Sequence, residues 1–224
     1  MPDLSSQTLP TRAGVRHVFT GYFDAQTGGT KYYNNNLTSA RDWDKEESNA
    51  TLYAQWAMDY EIGDVGPGGG IIFYVSEEGF YSYGPGTAHY LEAAPADMAT
   101  TLEWESGGGP FTFIGSTGTG IGSGNGNTNA ILNKVPTYPA ALACRNYNGG
   151  GLWDWFLPSK DELNELYKQR NLVGGDFGVV YWSSSEGSSY DAWGQNFGGG
   201  YYGLGLQNQA GKYNSCSVRA VRAF

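Results

Sequence analysis

Short apolar runs separated by glycine and polar residues dominate this chain, a pattern typical of a protein built largely from β-strands. The most strand-prone run extends from Ile71 to Val75, and its unbroken apolar character predicts a central strand with both faces covered. At the C-terminus Val218, Ala220 and Val221 alternate with arginines, which predicts a half-buried strand. Further strands are predicted at 18–23, 51–56 and 181–182, with another apolar segment at 90–94.

Helical signals are confined to the middle of the chain. Ser159 with Glu162 three residues later forms a capping-box pattern, which predicts a helix that ends before Gly174 and Gly175. A second helix is predicted to begin at 127 or 128 and to end before Pro136. Pro139 suits the first position of a further helical piece, because its missing N–H is not needed there.

Composition narrows the classes of function. The chain has 224 residues and a net charge of -9, with 35 glycines, 15% aromatic residues and only 16% charged residues. An acidic chain with so few cations is not expected to bind nucleic acid. No apolar run is long enough to predict a membrane span, and residues 1–3 do not begin a signal-peptide pattern.

Residues 1–58 are predicted to form a small β-rich unit, followed by a Gly-punctuated junction at 59–66. The segments LPTRAG, FTGYFDAQTGGTKYYN and TLYAQW resemble the second half of a Listeria-Bacteroides repeat, a β-grasp-like module of bacterial surface proteins. The leading strand and hairpin of that module have no counterpart in this sequence. The resemblance is therefore to a partial repeat.

The last part of the chain, from Tyr181 to Phe224, has two strand-like ends and a middle rich in Gly, Ser, Tyr, Asn and Gln. Tyr contributes a large amphipathic contact area at low entropic cost, and Ser, Gly and Asn offer adaptable hydrogen bonds. We therefore interpret the middle as a displayed binding face whose ends are fixed by strands. The alternative is a Gly-rich loop that only covers the core. The aromatic residues of this middle are Tyr190, Trp193, Phe197, Tyr201 and Tyr202.

Several motifs follow one another in order: LPSKDELNELY, YWSSSE, AWGQNF, a later lysine and the terminal VRAVRAF. Together they resemble the C-type-lectin-fold variable proteins of diversity-generating retroelements and the related Fibrobacter major-paralogous-type surface domains. The resemblance covers residues 62–224. It implies an α+β, C-type-lectin-like domain at 67–224 with two helices, a loop-rich antiparallel sheet and a variable region at about 181–217. It also implies that the strand at 71–75 pairs with VRAVRAF.

The resemblance also implies which residues are exchanged. In that family, diversification changes the adenines of Asn codons, which gives access to Tyr, Ser, Asp, Gly and Leu but not to Trp, Gln or Lys. Gln195 and Lys212 are accordingly expected to be fixed anchors. The expected scaffold tryptophans are Trp153, Trp155, Trp182 and Trp193. The implied ligand-binding positions are Ser189, Tyr190, Asp191, Gly194, Gly198, Gly199, Tyr201, Tyr202, Leu204 and Leu206.

No motif indicates an enzyme, a cofactor or a metal site. His17 and His89 are isolated in different predicted units, so neither a metal trio nor a Ser-His-Asp triad is expected. The Gly-rich stretch 115–127 lacks both nucleotide-binding patterns. Glu77 and Glu78 are expected to be solvated charges rather than glycosidase carboxylates. The EPN, QPD and WND strings of calcium-dependent lectins do not occur.

Cys144 and Cys216 leave two alternatives open, namely two buried thiols or one disulfide. Formylglycine-generating enzymes share the lectin-like architecture, but no motif around these cysteines supports their chemistry. The sequence thus predicts a non-enzymatic bacterial receptor or adhesion protein, secreted or on the cell surface, that binds a protein or other macromolecule. The alternative is a structural or adhesive surface domain without a diversified site.

Overall fold

The structure is a computed structural model that describes residues 3–4, 6–10, 17–45, 50–84, 86–107, 109–115, 117–174, 180–198 and 203–224. The chain divides into two compact units, Met1–Tyr60 and Glu61–Phe224. Helices and sheets are both present, so the architecture is mixed α+β. The first unit ends close to the predicted boundary at 58. The expected junction 59–66 lies largely in the second unit, where Gly63 N donates to Ile72 O at 2.8 Å.

The first unit contains an antiparallel three-stranded sheet. Its strands are β1 (His17–Phe23), β2 (Lys31–Tyr33) and β3 (Tyr53–Met58), in the order β2-β1-β3. Aromatic side chains pack on it, with Phe19 edge-on to Trp56 at 5.6 Å between ring centroids. The two strands predicted from the sequence are confirmed, and β2 is an additional strand.

The second unit carries the remaining elements. In chain order these are β4 (Ile71–Tyr81), β5 (Thr87–Ala93), β6 (Ala99–Leu102), α1 (Ser123–Lys134), α2 (Pro139–Arg145), α3 (Lys160–Lys168), α4 (Arg170–Val173), β7 (Val180–Glu186), β8 (Asp191–Asn196), β9 (Gln207–Gly211), β10 (Cys216–Val218) and β11 (Val221–Ala223). Two helices were expected, whereas the described residues contain four. Beyond those two, α2 was predicted from Pro139, and α4 is the additional helix.

One sheet of this unit has the order β11-β5-β4. The prediction that the strand at 71–75 pairs with the C-terminal strand is therefore wrong, because β5 lies between them. Glu92, fully buried in β5, provides the physical reason. Its carboxylate accepts from Gly68 N, just before β4, and from Arg222 Nη1 in β11, both at 2.9 Å. These contacts tie β5 to both neighbours.

The other sheet has five strands in the order β6-β10-β7-β8-β9, and only the β10–β7 pair is parallel. Alternate residues of β8 and the residue after it point to α3. Gln195 Nε2 donates to Asn164 Oδ1 at 2.9 Å, and the Phe197 ring meets the Tyr167 ring at 5.2 Å. Ala192, on the opposite face, packs into the main core.

Glu162 fixes the relation between two helices. The capping box predicted at the start of α3 is confirmed, with Ser159 and Glu162 bonded reciprocally. The same carboxylate also accepts from Gly122 N at 2.8 Å. Gly122 is the residue just before α1, which begins at Ser123, earlier than the predicted 127 or 128. Pro139 is the first residue of α2, as predicted.

The C-terminal arginines are buried. A single half-buried strand was predicted over 218–224, but the chain forms β10 and β11 with Arg219 between them. Arg219 is 1% exposed and Arg222 is 9% exposed. That prediction failed because hydropathy does not show that buried carboxylates lie opposite both guanidinium groups. Among the described residues, no helix is long and apolar enough to cross a membrane.

Candidate ligand-binding site

Buried polar contacts fix both ends of the Gly- and Tyr-rich segment. Glu186 ends β7 and Lys212 follows β9, and the Lys212 Nζ lies 2.6 Å from the Glu186 Oε1. Gln195, buried within β8, donates from Nε2 to Asn164 Oδ1 at 2.9 Å and to Gly205 O at 3.1 Å. Each buried polar group therefore has partners, without which its burial would be unfavourable. Both predicted anchors are part of the protein interior.

Three predicted ligand-binding residues lie at the turn between β7 and β8. Gly187 N donates to Asp191 O at 2.8 Å, and Tyr190 N donates to Ser188 Oγ at 3.0 Å. These bonds shape the backbone of the turn without using the Tyr190 side chain, which is 66% exposed. Ser189 and Asp191 are half-buried beside it.

A second group lies beyond the other end of β8. Gly198 is exposed, and Leu204 and Leu206 are each 54% exposed. The backbone beneath them is paired, since Asn196 N donates to Leu206 O at 3.0 Å and Gly205 N donates to Asn196 O at 2.8 Å. The predicted positions Gly199, Tyr201 and Tyr202 lie outside the described residues.

The six residues of β8 separate these two groups. At about 3.3 Å per residue, the strand places them roughly 17 Å apart. Gly194, in the strand itself, is buried, so the expectation of an exposed position is not met there. A Cβ on Gly194 would lie 3.0 Å from the Tyr181 carbonyl oxygen and 3.1 Å from Val180 Cγ1. The structure thus places the predicted residues in two groups with a constrained strand between them.

Sequence reasoning missed an aromatic cluster around Tyr190, which we define as Phe111, Tyr190 and Tyr213. The rings of Phe111 and Tyr213 are stacked at 6.1 Å, and Phe111 meets Tyr190 edge-on at 6.3 Å. Tyr213 is 59% exposed. The tyrosine could have been suspected because it lies within the segment. Phe111 could not, since it comes from a distant Gly-rich loop.

A groove on the five-stranded sheet was also missed. It has a volume of about 650 Å³, and every strand of that sheet contributes to its lining. Its walls are neutral amides and hydroxyls over small apolar groups. They include two predicted ligand-binding residues, Gly194 and Leu206. Period-2 alternation along β8 and β9 could have indicated a shared face, but not the concavity.

The scaffold tryptophans behave differently from one another. Trp155 and Trp182 are fully buried, as predicted, and Trp193 is half-buried with Lys160 Nζ 5.2 Å from its ring centroid. Trp153 is 67% exposed, so its prediction as a core residue is wrong. The neighbouring Asp154 pairs with Arg222 from an exposed position. The chain therefore follows the surface at 153–154 and turns inward at Trp155.

The sequence was also compared with known proteins. Neither the family models nor the curated proteins in that comparison match this chain. The resemblance drawn from its motifs therefore stays a prediction.

The described residues can be compared with the metal-binding and thiol chemistry considered from the sequence. They contain no group of three or more His, Cys, Asp or Glu side chains placed to share a metal ion. Cys144 and Cys216 are buried free thiols, which decides between the two alternatives left by the sequence. Burial raises the pKa of both thiols, that of Cys216 to about 12. A thiol kept protonated in this way is a poor nucleophile.

Proposed function

We propose that this chain is a non-enzymatic ligand-binding receptor or adhesion protein, secreted or on a cell surface, with a binding surface diversified by a retroelement. In this proposal, residues 67–224 form a C-type-lectin-like domain. The mixed α+β architecture supports it, as does the position of the terminal strand β11, which joins the sheet of the unit's first strand through β5.

The observation that carries the proposal is a division by burial. Of the positions that adenine changes can reach, Tyr190, Leu204 and Leu206 are 54% to 66% exposed, and Gly194 is the buried exception described above. The unreachable anchors Gln195 and Lys212 are 0% exposed. Residues that are repeatedly substituted need to lie at exposed positions, apart from the buried anchors, because substitutions at exposed positions seldom change stability by more than about 0.5 kcal/mol.

The spacing of the exposed groups favours a macromolecular ligand. The aromatic cluster and the Leu204–Leu206 pair lie at opposite ends of β8, roughly 17 Å apart at the usual strand rise. One small molecule would not contact both ends. A protein surface would, since a typical interface covers about 800 Å² on each partner. Tyr at such a site supplies the large contacts that dominate binding energy.

Two libraries of variants, each displayed on a cell or phage surface, test whether exposed positions tolerate substitution and buried anchors do not. The first randomises positions 189, 190, 204 and 206, and its matched control randomises positions 193, 195 and 212. We expect the first library to stay protease-resistant and to yield binders against a panel of proteins, and the control library to lose resistance because buried partners are removed. Equal loss in both libraries, or no binders from a folded first library, would contradict the proposal.

Sequencing of the genomic locus tests the source of diversity. We expect a reverse-transcriptase gene near the coding region and a near-identical repeat of codons 181–217 that differs only at adenines. If neither is present, the remaining interpretation is a structural or adhesive domain in which the segment covers the core.

A further inference from the structure

A buried lysine lies between two buried glutamates at the base of the displayed segment. The Lys212 Nζ is 2.6 Å from the Glu186 Oε1 and 3.5 Å from the Glu105 Oε2. The side chains of Lys212, Glu186 and Glu105 are 0%, 2% and 6% exposed. The Trp104 ring, with its centroid 4.7 Å from Nζ, covers the amine. An amine and two carboxyl groups are thus confined together away from water.

Two backbone N–H groups point at the Glu186 carboxyl group. Gly115 N donates to Oε2 at 2.9 Å, and Ile114 N lies 3.0 Å from both oxygens. Paired backbone donors on one oxygen are the arrangement that stabilises the oxyanion of a tetrahedral intermediate. Oε1 shares only the Ile114 donor and is the oxygen in contact with Lys212, so it is the one that would depart.

The second glutamate is placed to move a proton. Glu105 Oε1 accepts from Thr112 N at 2.8 Å, which fixes the carboxyl group. Among the residues that the structure describes, none donates a hydrogen bond to its Oε2, although Lys212 Nζ is within ion-pair distance. Lys212 also donates to Thr112 O at 2.9 Å, so both groups are positioned by the same residue.

We propose that Lys212 and Glu186 become joined by an intramolecular amide bond. Glu105 moves one proton from the Lys212 ammonium to Oε1 of Glu186, so that a neutral amine faces a carboxylic acid. The amine attacks Cδ after a small rotation of the carboxyl plane, and the oxyanion forms on Oε2, facing the N–H groups of Ile114 and Gly115. Glu105 then takes the second proton from the nitrogen and gives it to the Oε1 hydroxyl, which leaves as water. The C–N bond forms and the C–Oε1 bond breaks, so an ammonium and a carboxylate become an amide and water, and Glu105 ends as it began.

The link would have a structural effect that no exposed ion pair could provide. Glu186 and Lys212 are 26 positions apart, and every implied ligand-binding position lies between them. A covalent closure at this point fixes both ends of the segment whatever residues it contains, and it restricts the unfolded chain as a disulfide does. This inference stands on the buried cluster and does not depend on the proposed function.

Mass spectrometry of the unfolded full-length protein tests the link directly. We expect the intact mass to be lower than the sequence mass by one water molecule. Proteolysis should yield one branched peptide pair that contains Glu186 and Lys212. A full sequence mass, together with quantitative acetylation of Lys212 after unfolding, would overturn the proposal. Because this measurement uses the wild-type chain, it does not depend on the folding of any variant.

Variants assign the roles within the cluster. Lys212→Arg keeps the positive charge but has no amine able to form this amide, so its mass should show no loss of water. Glu105→Gln should also stay unlinked, while a linked Glu105→Gln chain would overturn the role of Glu105. Glu186→Gln should release ammonia instead and give the mass of the linked wild type. Lys168→Arg, in the exposed pair with Glu165, is the matched control and should leave the link intact.

Discussion

The displayed segment and the strands that surround it relate burial to side-chain chemistry in opposite ways. Around the segment, charged side chains are inside, with Lys212 at 0% and Arg219 at 1% exposure. Within the segment, three apolar or aromatic side chains are exposed, Leu204 and Leu206 at 54% and Tyr190 at 66%, whereas Phe197 is buried. Hydropathy alone would assign each set to the wrong environment.

The difference separates the side chains that stabilise the fold from those that are available for binding. Buried charges are favourable only with partners in fixed positions, and here the partners belong to strands and loops outside the segment. Exposed apolar groups contribute little to folding, because they remain in water in both states. Changes at the exposed positions of the segment should therefore alter binding, whereas changes at buried positions, in the segment or around it, should alter folding.

The largest expected effect tests the buried charges. Arg219 Nε donates to Asp97 Oδ1 at 2.5 Å, and its other nitrogens donate to the carbonyls of Ala94 and Gly174. Arg219→Ala leaves Asp97 buried without its cation and two carbonyls without donors. We expect a loss of about 3–5 kcal/mol in the free energy of unfolding, measured by urea titration.

Lys168→Ala is the matched control for Arg219→Ala. Lys168 pairs with Glu165 three residues earlier on α3, but its side chain is 53% exposed. Exposed pairs of this kind contribute about 0.3–0.5 kcal/mol. A similar loss in the two variants would show that burial does not distinguish these charges, and the comparison would fail.

The next effect compares two tryptophans of one short segment. Trp155 is fully buried, its ring lies 4.8 Å from that of Tyr147, and its Nε1 donates to Gly149 O at 3.2 Å. Trp155→Phe removes this bond and leaves a cavity, so we expect a loss of about 2 kcal/mol. Trp153→Phe should cost less than about 0.5 kcal/mol, because the ring is 67% exposed. Equal melting temperatures for the two variants would contradict the assigned burial.

The sequence predicted those local features whose cause lies in neighbouring residues. The capping box at Ser159 and the position of Pro139 follow from backbone donors that any helix start must satisfy. The strand at 71–75 was predicted for a similar reason, since β-branched and aromatic residues suit a strand. Its predicted central position, with both faces covered, is wrong, because β4 lies at the edge of its sheet and Val75 is exposed.

Features that depend on distant partners could not be predicted. The place of β5 between β4 and β11 depends on Glu92, whose hydrogen-bond partners Gly68 and Arg222 are 24 and 130 positions away in the chain. Arg219 appeared polar and half-exposed because nothing nearby in sequence reveals Asp97. The contact of Phe111 with Tyr190 likewise arises only from the tertiary fold. The candidate site was therefore predicted as a segment, but not as two groups of exposed residues.

A pH experiment measures how much one buried carboxyl group, that of Glu162, contributes to the free energy of unfolding. Burial raises the pKa of Glu162 to about 7, against the lowering effect of hydrogen bonds from Ser159, Gly122 and Gly124. The folded state therefore holds the proton more tightly than the unfolded state, whose pKa is near 4.5. The resulting stability is fully present below pH 4.5 and is lost as the pH rises through about 7.

The variant Glu162→Gln isolates this contribution. Between pH 4.5 and 7, wild-type stability should fall relative to the variant by roughly 2–3 kcal/mol, because the glutamine does not titrate. The measurement is the difference between the two urea-unfolding free energies at each pH, which cancels the titration of all other groups. A difference that is constant with pH would show that Glu162 keeps the same proton affinity on folding.

The smallest expected effect is the most informative about the displayed segment. Tyr190→Ala, Leu204→Ser and Leu206→Ser should each change the free energy of unfolding by less than about 0.5 kcal/mol, because these side chains are more than half exposed. Phe197→Ala is the matched control within the segment. Its ring is 2% exposed and packs 4.6 Å from that of Tyr181, so its removal should cost about 3 kcal/mol or more. If the three exposed changes were as costly as Phe197→Ala, the segment would be part of the folding core, and no set of freely exchangeable residues would exist.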